Sequence, residues 1–295
     1  MNDLITMPRL NADSIIDNLD ISEKSRYEYK QRVKAYLLFI QTEGVSLNVL
    51  LHYKRALANR TDYSVATRNK YLAVAKLFTK ECYRLGIIER DISINVKSFQ
   101  QDRKHKVDGL NDEDVALIGQ WVKDHPARLR ERALLCLLLF QGLRQAEICN
   151  IRLQDVDLKA ETMFVLGKAR DDRERVYLHP NTTRALRLYC SSLHLSNSDY
   201  LFTSLRKPSQ DTKLTVGGLQ SIIKRIFREL GIDRTIHGCR HFFASRLIQS
   251  MPGELATVAR FTRHRSLETL GIYDDNRLML RDVEQYKQIF SDLKI

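Results

Sequence analysis

The chain has 295 residues, 43% hydrophobic and 28% charged, with 12 Gly and 5 Pro, which excludes collagen-like, low-complexity and disordered classes and fits one or two packed domains. Its longest purely apolar run, Ala133 to Phe140, covers eight residues where a membrane-spanning helix needs roughly 20, and Met1 to Ile15 lacks the cationic start and apolar core of a secretion signal. Formal charge is +12, and residues 24 to 106 hold 18 Lys/Arg against 7 Asp/Glu, so nearly all of the excess sits in the first third.

That asymmetry points to a polyanion partner, most simply nucleic acid, with a basic surface kept for solubility as the plainer alternative. The five cysteines, Cys82, Cys136, Cys149, Cys190 and Cys239, are odd in number and form no CxxC pair, so neither a disulfide framework nor a cysteine-rich zinc site is expected. A cytoplasmic protein with no membrane partner follows.

Residues 1 to 21 read as an N-terminal extension. Tyr29, Val33, Tyr36 with Leu37, and Ile40 recur at helical spacing and predict a first helix over about Ser22 to Thr42, and a second fits Ser46 to Ala58. A third runs from a Ser64 cap to Leu85, with Tyr71, Ala75, Phe78 and Cys82 as its apolar stripe and Gly86 as its stop. Its other side carries Lys76, Lys80 and Arg84 at successive i,i+4 positions, which suits a helix facing phosphates and equally suits a plain solvated face. Residues 22 to 90 thus form a small helical domain, and 91 to 109, polar and basic without helical period, a linker.

A second domain, 110 to 295, opens at Asn111, which can cap a helix with Asp114 three residues on. A helix through Asp124 and another over about Ala127 to Gln141, ended by Gly142, come next. Thr162 to Leu166 and Arg175 to Leu178 then read as two strands of a β-hairpin. Helices are expected over Asn181 to Leu193, Gly217 to Leu230, Cys239 to Ser250, Glu254 to Phe261 and about Leu280 to Leu293. The fold class is mainly α, an all-helical domain followed by a mixed α+β domain with one small antiparallel sheet.

Four segments of the second domain concentrate cations, His and Tyr. After Gly142, Arg144 stands at a helix start with Glu147 three residues on, placed either to offer a planar fork to an oxyanion or simply to pair with Glu147. Lys168 sits in the hairpin turn, where a lysine can swing onto a phosphate, though turn lysines are common. His237, Arg240 and His241 share a helix face, and the absence of a Glu after His237 argues against a HExxH zinc site. Finally His264 precedes Tyr273 by nine residues. Each signal taken singly has a plainer structural reading, whereas the order and spacing of all four are distinctive.

In that order and spacing the chain resembles the tyrosine recombinase (phage integrase) family, whose signature is Arg, Lys on a β-hairpin, His-x-x-Arg, His or Trp, then Tyr about nine residues later. Arg144, Lys168, His237, Arg240, His264 and Tyr273 fill those positions. The resemblance covers the chain, with 22 to about 90 similar to the helical, SAM-like core-binding domain and 110 to 295 to the catalytic domain. Departures are Thr262-Arg263 for the usual Leu-Gly before the His, Asn95-Val96 for Asn-Pro, and Gly238-Cys239 for x-Leu. With about 20 residues before the first helix, the separate arm-binding domain of some phage integrases is not expected.

The resemblance implies an enzyme that cuts and rejoins DNA at specific sites through a 3′-phosphotyrosine, without metal or cofactor. It casts Tyr273 as nucleophile, Arg144 and Arg240 as phosphate ligands, Lys168 as general acid, His237 as proton acceptor, His264 as donor to the phosphate, and Glu147 as support for Arg144. Arg68, Asn69 and Lys70 are expected to reach base edges in the major groove and set site choice, and Lys76, Lys80 and Arg84 to face the phosphates. The implied assembly is a tetramer on two double-stranded DNA sites, the last helix contacting a neighbouring protomer, with accessory DNA-bending proteins as candidate partners and nucleoid association when bound. An integrase or resolvase of a mobile element is expected; a Xer-type chromosome-dimer resolvase, a non-catalytic DNA-binding regulator of the same fold and a relaxing topoisomerase are the alternatives.

Overall fold

The computed structural model describes residues 12–100, 109–166, 173–193, 199–204 and 212–264, together with Leu267 and Leu270. The chain divides between residues 103 and 104 into two units with separate hydrophobic cores. The architecture is mostly helical with one small antiparallel sheet.

In the first unit, serine caps set two of the helix starts. Ser22 accepts from the Ser25 N–H ahead of α2 (Glu23–Glu43), and Ser64 from the Thr67 N–H ahead of α4 (Val65–Arg84); α3 (Val49–Ala58) lies between. Gly86, at φ 71°, follows α4 with a backbone that L side chains resist. Val33 and Tyr36 of α2, Leu50 and Leu57 of α3, and Leu72, Ala75, Phe78 and Cys82 of α4 are buried together, as the apolar periodicity demands.

Two sequence expectations are corrected here. Residues 1 to 21 are not a plain extension, because a short helix α1 (Ala12–Asp17) inserts Ile15 and Ile16 into this core. Six residues are too few to show a period. Nor is 91 to 109 simply a linker, since Val96 is buried and Phe99 packs against the same core. This strap has no regular backbone pairing and is held by side chains of α4. The Asn69 amide donates to the Phe99 carbonyl at 3.0 Å and accepts from the Phe99 N–H at 2.8 Å, while the Lys76 ammonium donates to the Val96 carbonyl at 2.6 Å.

The second unit begins with α5 (Asp112–Asp124), where Asn111 and Asp114 form a reciprocal capping box. Next comes α6 (Leu129–Phe140), in which Ala133, Leu134, Leu135, Leu137 and Leu138 are all buried and the polar Arg130, Glu131 and Arg132 are confined to the first turn, so the rest of the helix forms the centre of the core. After α7 (Gln145–Asn150) and a single 3-10 turn, β1 (Val156–Asp157), β2 (Thr162–Leu166) and β3 (Arg173–Tyr177) make an antiparallel sheet in chain order. The register sets Met163 opposite Val176, and Met163, Val165 and Val176 face the core. Two residues made β1 invisible to alternation.

Around α6 lie α8 (Pro180–Ser191), α9 (Val216–Glu229) and α10 (His237–Ser250); α11 (Leu255–Thr262) packs on α10 instead. Ile248, Val258 and Leu270 form a small apolar cluster of their own there, apart from the main core. The hairpin turn with Lys168, and the expected last helix over Leu280 to Leu293, lie outside the described residues. No helix among the described residues is long and apolar enough to cross a membrane.

Replacing Asn69 by Ala should lower stability by about 1 kcal/mol and speed hydrogen exchange at the Phe99 amide. Unchanged exchange there would show that apolar packing of Val96 and Phe99 alone holds the strap.

Candidate active site

The site is built on the turn between α6 and α7. Gly142 lies there at φ 53°, and a Cβ on it would stand 2.3 Å from the Phe243 ring, so this tight reversal requires glycine. The turn delivers Arg144 to the N-cap of α7. Glu147 folds back, one carboxylate oxygen accepting from the Arg144 N–H and the other from the Arg144 guanidinium, both at 2.8 Å.

The Glu147 carboxylate is only 2% exposed, and a second guanidinium reaches it, that of Arg263, at 3.1 Å. Arg263 is the residue just past α11 and takes the left-handed conformation, φ 55°, which is costly for a side chain other than Gly. Its carbonyl in turn accepts from Arg144 at 3.0 Å, so the two arginines are tied by one carboxylate and one peptide oxygen.

Arg240, on the first turn of α10 and 3% exposed, donates to two main-chain carbonyls, Gly142 in the α6–α7 turn and Thr262 at the end of α11. The same guanidinium lies 3.4 Å from Nε2 of His264, whose Nδ1 is 2.7 Å from the hydroxyl of fully buried Thr262. His237 and His241 stack edge to face one turn apart, ring centroids at 4.6 Å. Among the described residues no group of three or more His, Cys, Asp or Glu converges as metal ligands would.

Electrostatics follow from this packing. Burial alone would raise the Glu147 carboxyl, but the Arg263 charge and the Arg144 hydrogen bonds outweigh it and hold the group ionised below its ordinary range. Burial pulls the Arg263 guanidinium down and Glu147 opposes that. The His264 imidazole is pushed down to about 4, chiefly by burial and then by the charges of Arg240, Arg144, Arg263 and His237, so it is neutral at pH 7.

Of the residues singled out in the sequence, Arg144, Glu147, Arg240 and His264 therefore meet in space, and His237 acts on the same group electrostatically. Lys168 and Tyr273 lie outside the described residues. Gly142, Thr262 and Arg263 were not singled out as site residues. The only signal for the last two was their departure from the Leu-Gly pair. On α4, Lys70 and Lys80 are exposed, Arg68 donates to the Arg60 carbonyl at 2.7 Å, and Arg84 pairs with Glu81 at 2.7 Å. Lys76 does not form part of an outward basic stripe, nor does Asn69 offer its amide to a base edge, because their polar groups are occupied by the strap.

Residues 109–278 match the model of the phage integrase family. The chain is 26% identical over 262 residues to the tyrosine recombinase XerA of Pyrococcus furiosus, covering 82% of this chain and 88% of that protein. It is 31% identical over 149 residues to the XerA of Thermococcus kodakarensis, a match spanning 50% of this chain and 51% of that relative's length. A lambda integrase dimer bound to a COC′ core site shares its fold, with a TM-score of 0.69 at 15% identity over 90% of this chain and 93% of the other.

An unfolded His264 takes up a proton near 6.5 that the folded site refuses until about 4, so its contribution to stability is present above 6.5 and is lost as pH falls towards 4. Denaturant unfolding of His264→Gln should lose less stability over that window than the parent; identical slopes would place the acid sensitivity elsewhere.

Proposed function

The chain belongs to the phage integrase family, and on that premise we propose that it is a site-specific recombinase that cuts and rejoins double-stranded DNA through a 3′-phosphotyrosine. What carries the reading is that Arg144 and Arg240, far apart in sequence, are fastened to the same two turns. Arg240 is held by Gly142 and Thr262, Arg144 by Glu147 and Arg263. Arginines fixed in this way are preorganised for the non-bridging oxygens of a phosphodiester, and need no rearrangement as charge develops on them.

In this mechanism the Tyr273 oxygen attacks the scissile phosphorus and the bond to the 5′-oxygen breaks. Lys168 gives that oxygen a proton, because an alkoxide leaves poorly. His237 takes the proton of the Tyr273 hydroxyl, whose ordinary pKa near 10 leaves it neutral at physiological pH. The freed 5′-hydroxyl then attacks the partner strand's phosphotyrosine, so the bond energy is conserved. Glu147 keeps Arg144 in register. The exposed Lys70 and Lys80 on α4, with Arg68 and Arg84, supply contacts to the duplex backbone.

The assembly implied is a tetramer on two DNA sites, with the segment after Tyr273 contacting a neighbour and DNA-bending proteins assisting; the protein acts in the cytoplasm, on the nucleoid when bound. The departure at Thr262-Arg263 favours an integrase or resolvase of a mobile element, and the similarity to XerA over most of both chains favours a Xer-type resolvase. Cleavage sites in the DNA beside its own gene support the first, and sites in a distant chromosomal locus the second.

Incubated in EDTA with nicked duplexes, the protein should form a covalent adduct on denaturing gels, and Tyr273→Phe should bind the same DNA without forming it. Adducts from Tyr273→Phe would reveal another nucleophile, and binding without adduct in the parent would favour a non-catalytic regulator. Lys168→Ala should fail on ordinary DNA and recover on a 5′-thio leaving group, which needs no proton; lack of recovery rejects the acid role.

A further inference from the structure

Arg263 occupies a costly position. Its φ of 55° is one that side chains other than glycine resist, and its Nε is buried with no hydrogen-bond partner among the described residues. A residue persists in such a place only where its surroundings over-determine it. The Arg263 guanidinium reaches a Glu147 oxygen at 3.1 Å and lies 3.4, 3.4 and 3.3 Å from the carbonyls of Gln141, Gly142 and Phe261. Its own carbonyl accepts from the Arg144 guanidinium at 3.0 Å. The Arg263 side chain is 5% exposed against 31% for Arg144, so Arg144, and not Arg263, is open to a phosphate.

We propose that Arg263 is a positioning residue for strand cleavage, the counterion of Glu147, which lets Glu147 fix the Arg144 guanidinium without cancelling the charge that Arg144 offers to the scissile phosphate. This rests on the recombinase reading for its catalytic consequence. One Glu147 oxygen accepts from the Arg144 guanidinium at 2.8 Å, and the other, which accepts from the Arg144 N–H, is the oxygen that Arg263 holds. With the glycine usual in the family at position 263, the carbonyl bond to Arg144 would remain and the guanidinium would be lost. Arg144 and Glu147 would then be a pair without net charge, which draws a phosphate weakly. Two guanidiniums on one carboxylate instead leave one net positive charge, and the arginine turned to solvent presents it. Burial by itself favours a protonated Glu147, and of the influences opposing it the Arg263 charge is the largest.

The test is single-turnover adduct formation on a nicked duplex, beside hydrogen exchange at the main-chain amides of the full chain. Arg263→Gly suits the left-handed backbone and removes only the side chain. It should cut the rate at saturating protein on the order of tenfold, with half-saturation within about twofold of the parent. Arg263→Lys, which keeps the charge, should stay within about threefold of the parent. In a Glu147→Gln background, Arg263→Gly should slow the reaction less than about twofold, because no carboxylate is left to neutralise; a residue that only filled space would cost the same in either background. The Arg144 amide should exchange faster in Arg263→Gly while that of Leu134 in α6 is unchanged. A parent-like rate in Arg263→Gly overturns the proposal, as does equal slowing in both backgrounds or a lysine no faster than glycine. If the parent forms no adduct on any duplex, the recombinase reading fails; faster exchange confined to Arg144 then leaves the positioning of Glu147 standing, and unchanged exchange overturns that too.

Discussion

One buried carboxylate organises the second unit's polar centre. Glu147 accepts from the Arg144 main chain, the Arg144 guanidinium and the Arg263 guanidinium, and thereby connects the start of α7 to the end of α11. A charge so fully removed from water persists only because its oxygens are met by cationic donors. Deleting it would leave two guanidiniums close together without their shared counterion, and breaking a buried pair of this kind costs about 3–5 kcal/mol. The strained backbone at Arg263 is intelligible in the same terms. An unfavourable φ is tolerated because it delivers a guanidinium to Glu147 and a carbonyl to Arg144 at once.

Much of this was legible in the sequence, for identifiable reasons. Apolar periodicity located α2 and α4, a continuous apolar run ended by Gly142 located α6, and Ser22, Ser64 and Asn111 marked starts that the side-chain caps bear out. Arg144 with Glu147, His237 with Arg240, and His264 nine residues before Tyr273 could be singled out because each spacing is local. What escaped was whatever depends on distant partners. Thr262 and Arg263 read as substitutions in a motif, and only the approach of α10 and the α6–α7 turn gives them chemistry. Likewise α1 and β1 were too short for any period to show.

The strap shows the same limit from another side. Periodicity tells which residues share a helix face, not what covers that face. Lys76 lies in the expected phosphate-facing stripe and Asn69 among the expected base readers, yet residues 96 to 99 of the same chain already occupy both. The first unit therefore extends to Phe99, and on α4 its charge is presented by those cations that the strap does not engage.

The division of the apolar core around α11 has a thermal corollary. Among the described residues the buried apolar contact of this helix is the small cluster of Ile248, Val258 and Leu270, separate from the large core that stabilises α6, α8 and α9. Yet Thr262, Arg263 and His264 all hang from its end. A partial opening that frees α11 would dismantle the arginine and histidine geometry while most of the helix content survives. Warming would thus silence the molecule before it melts, and helicity would be a poor gauge of how much competent protein a preparation still contains.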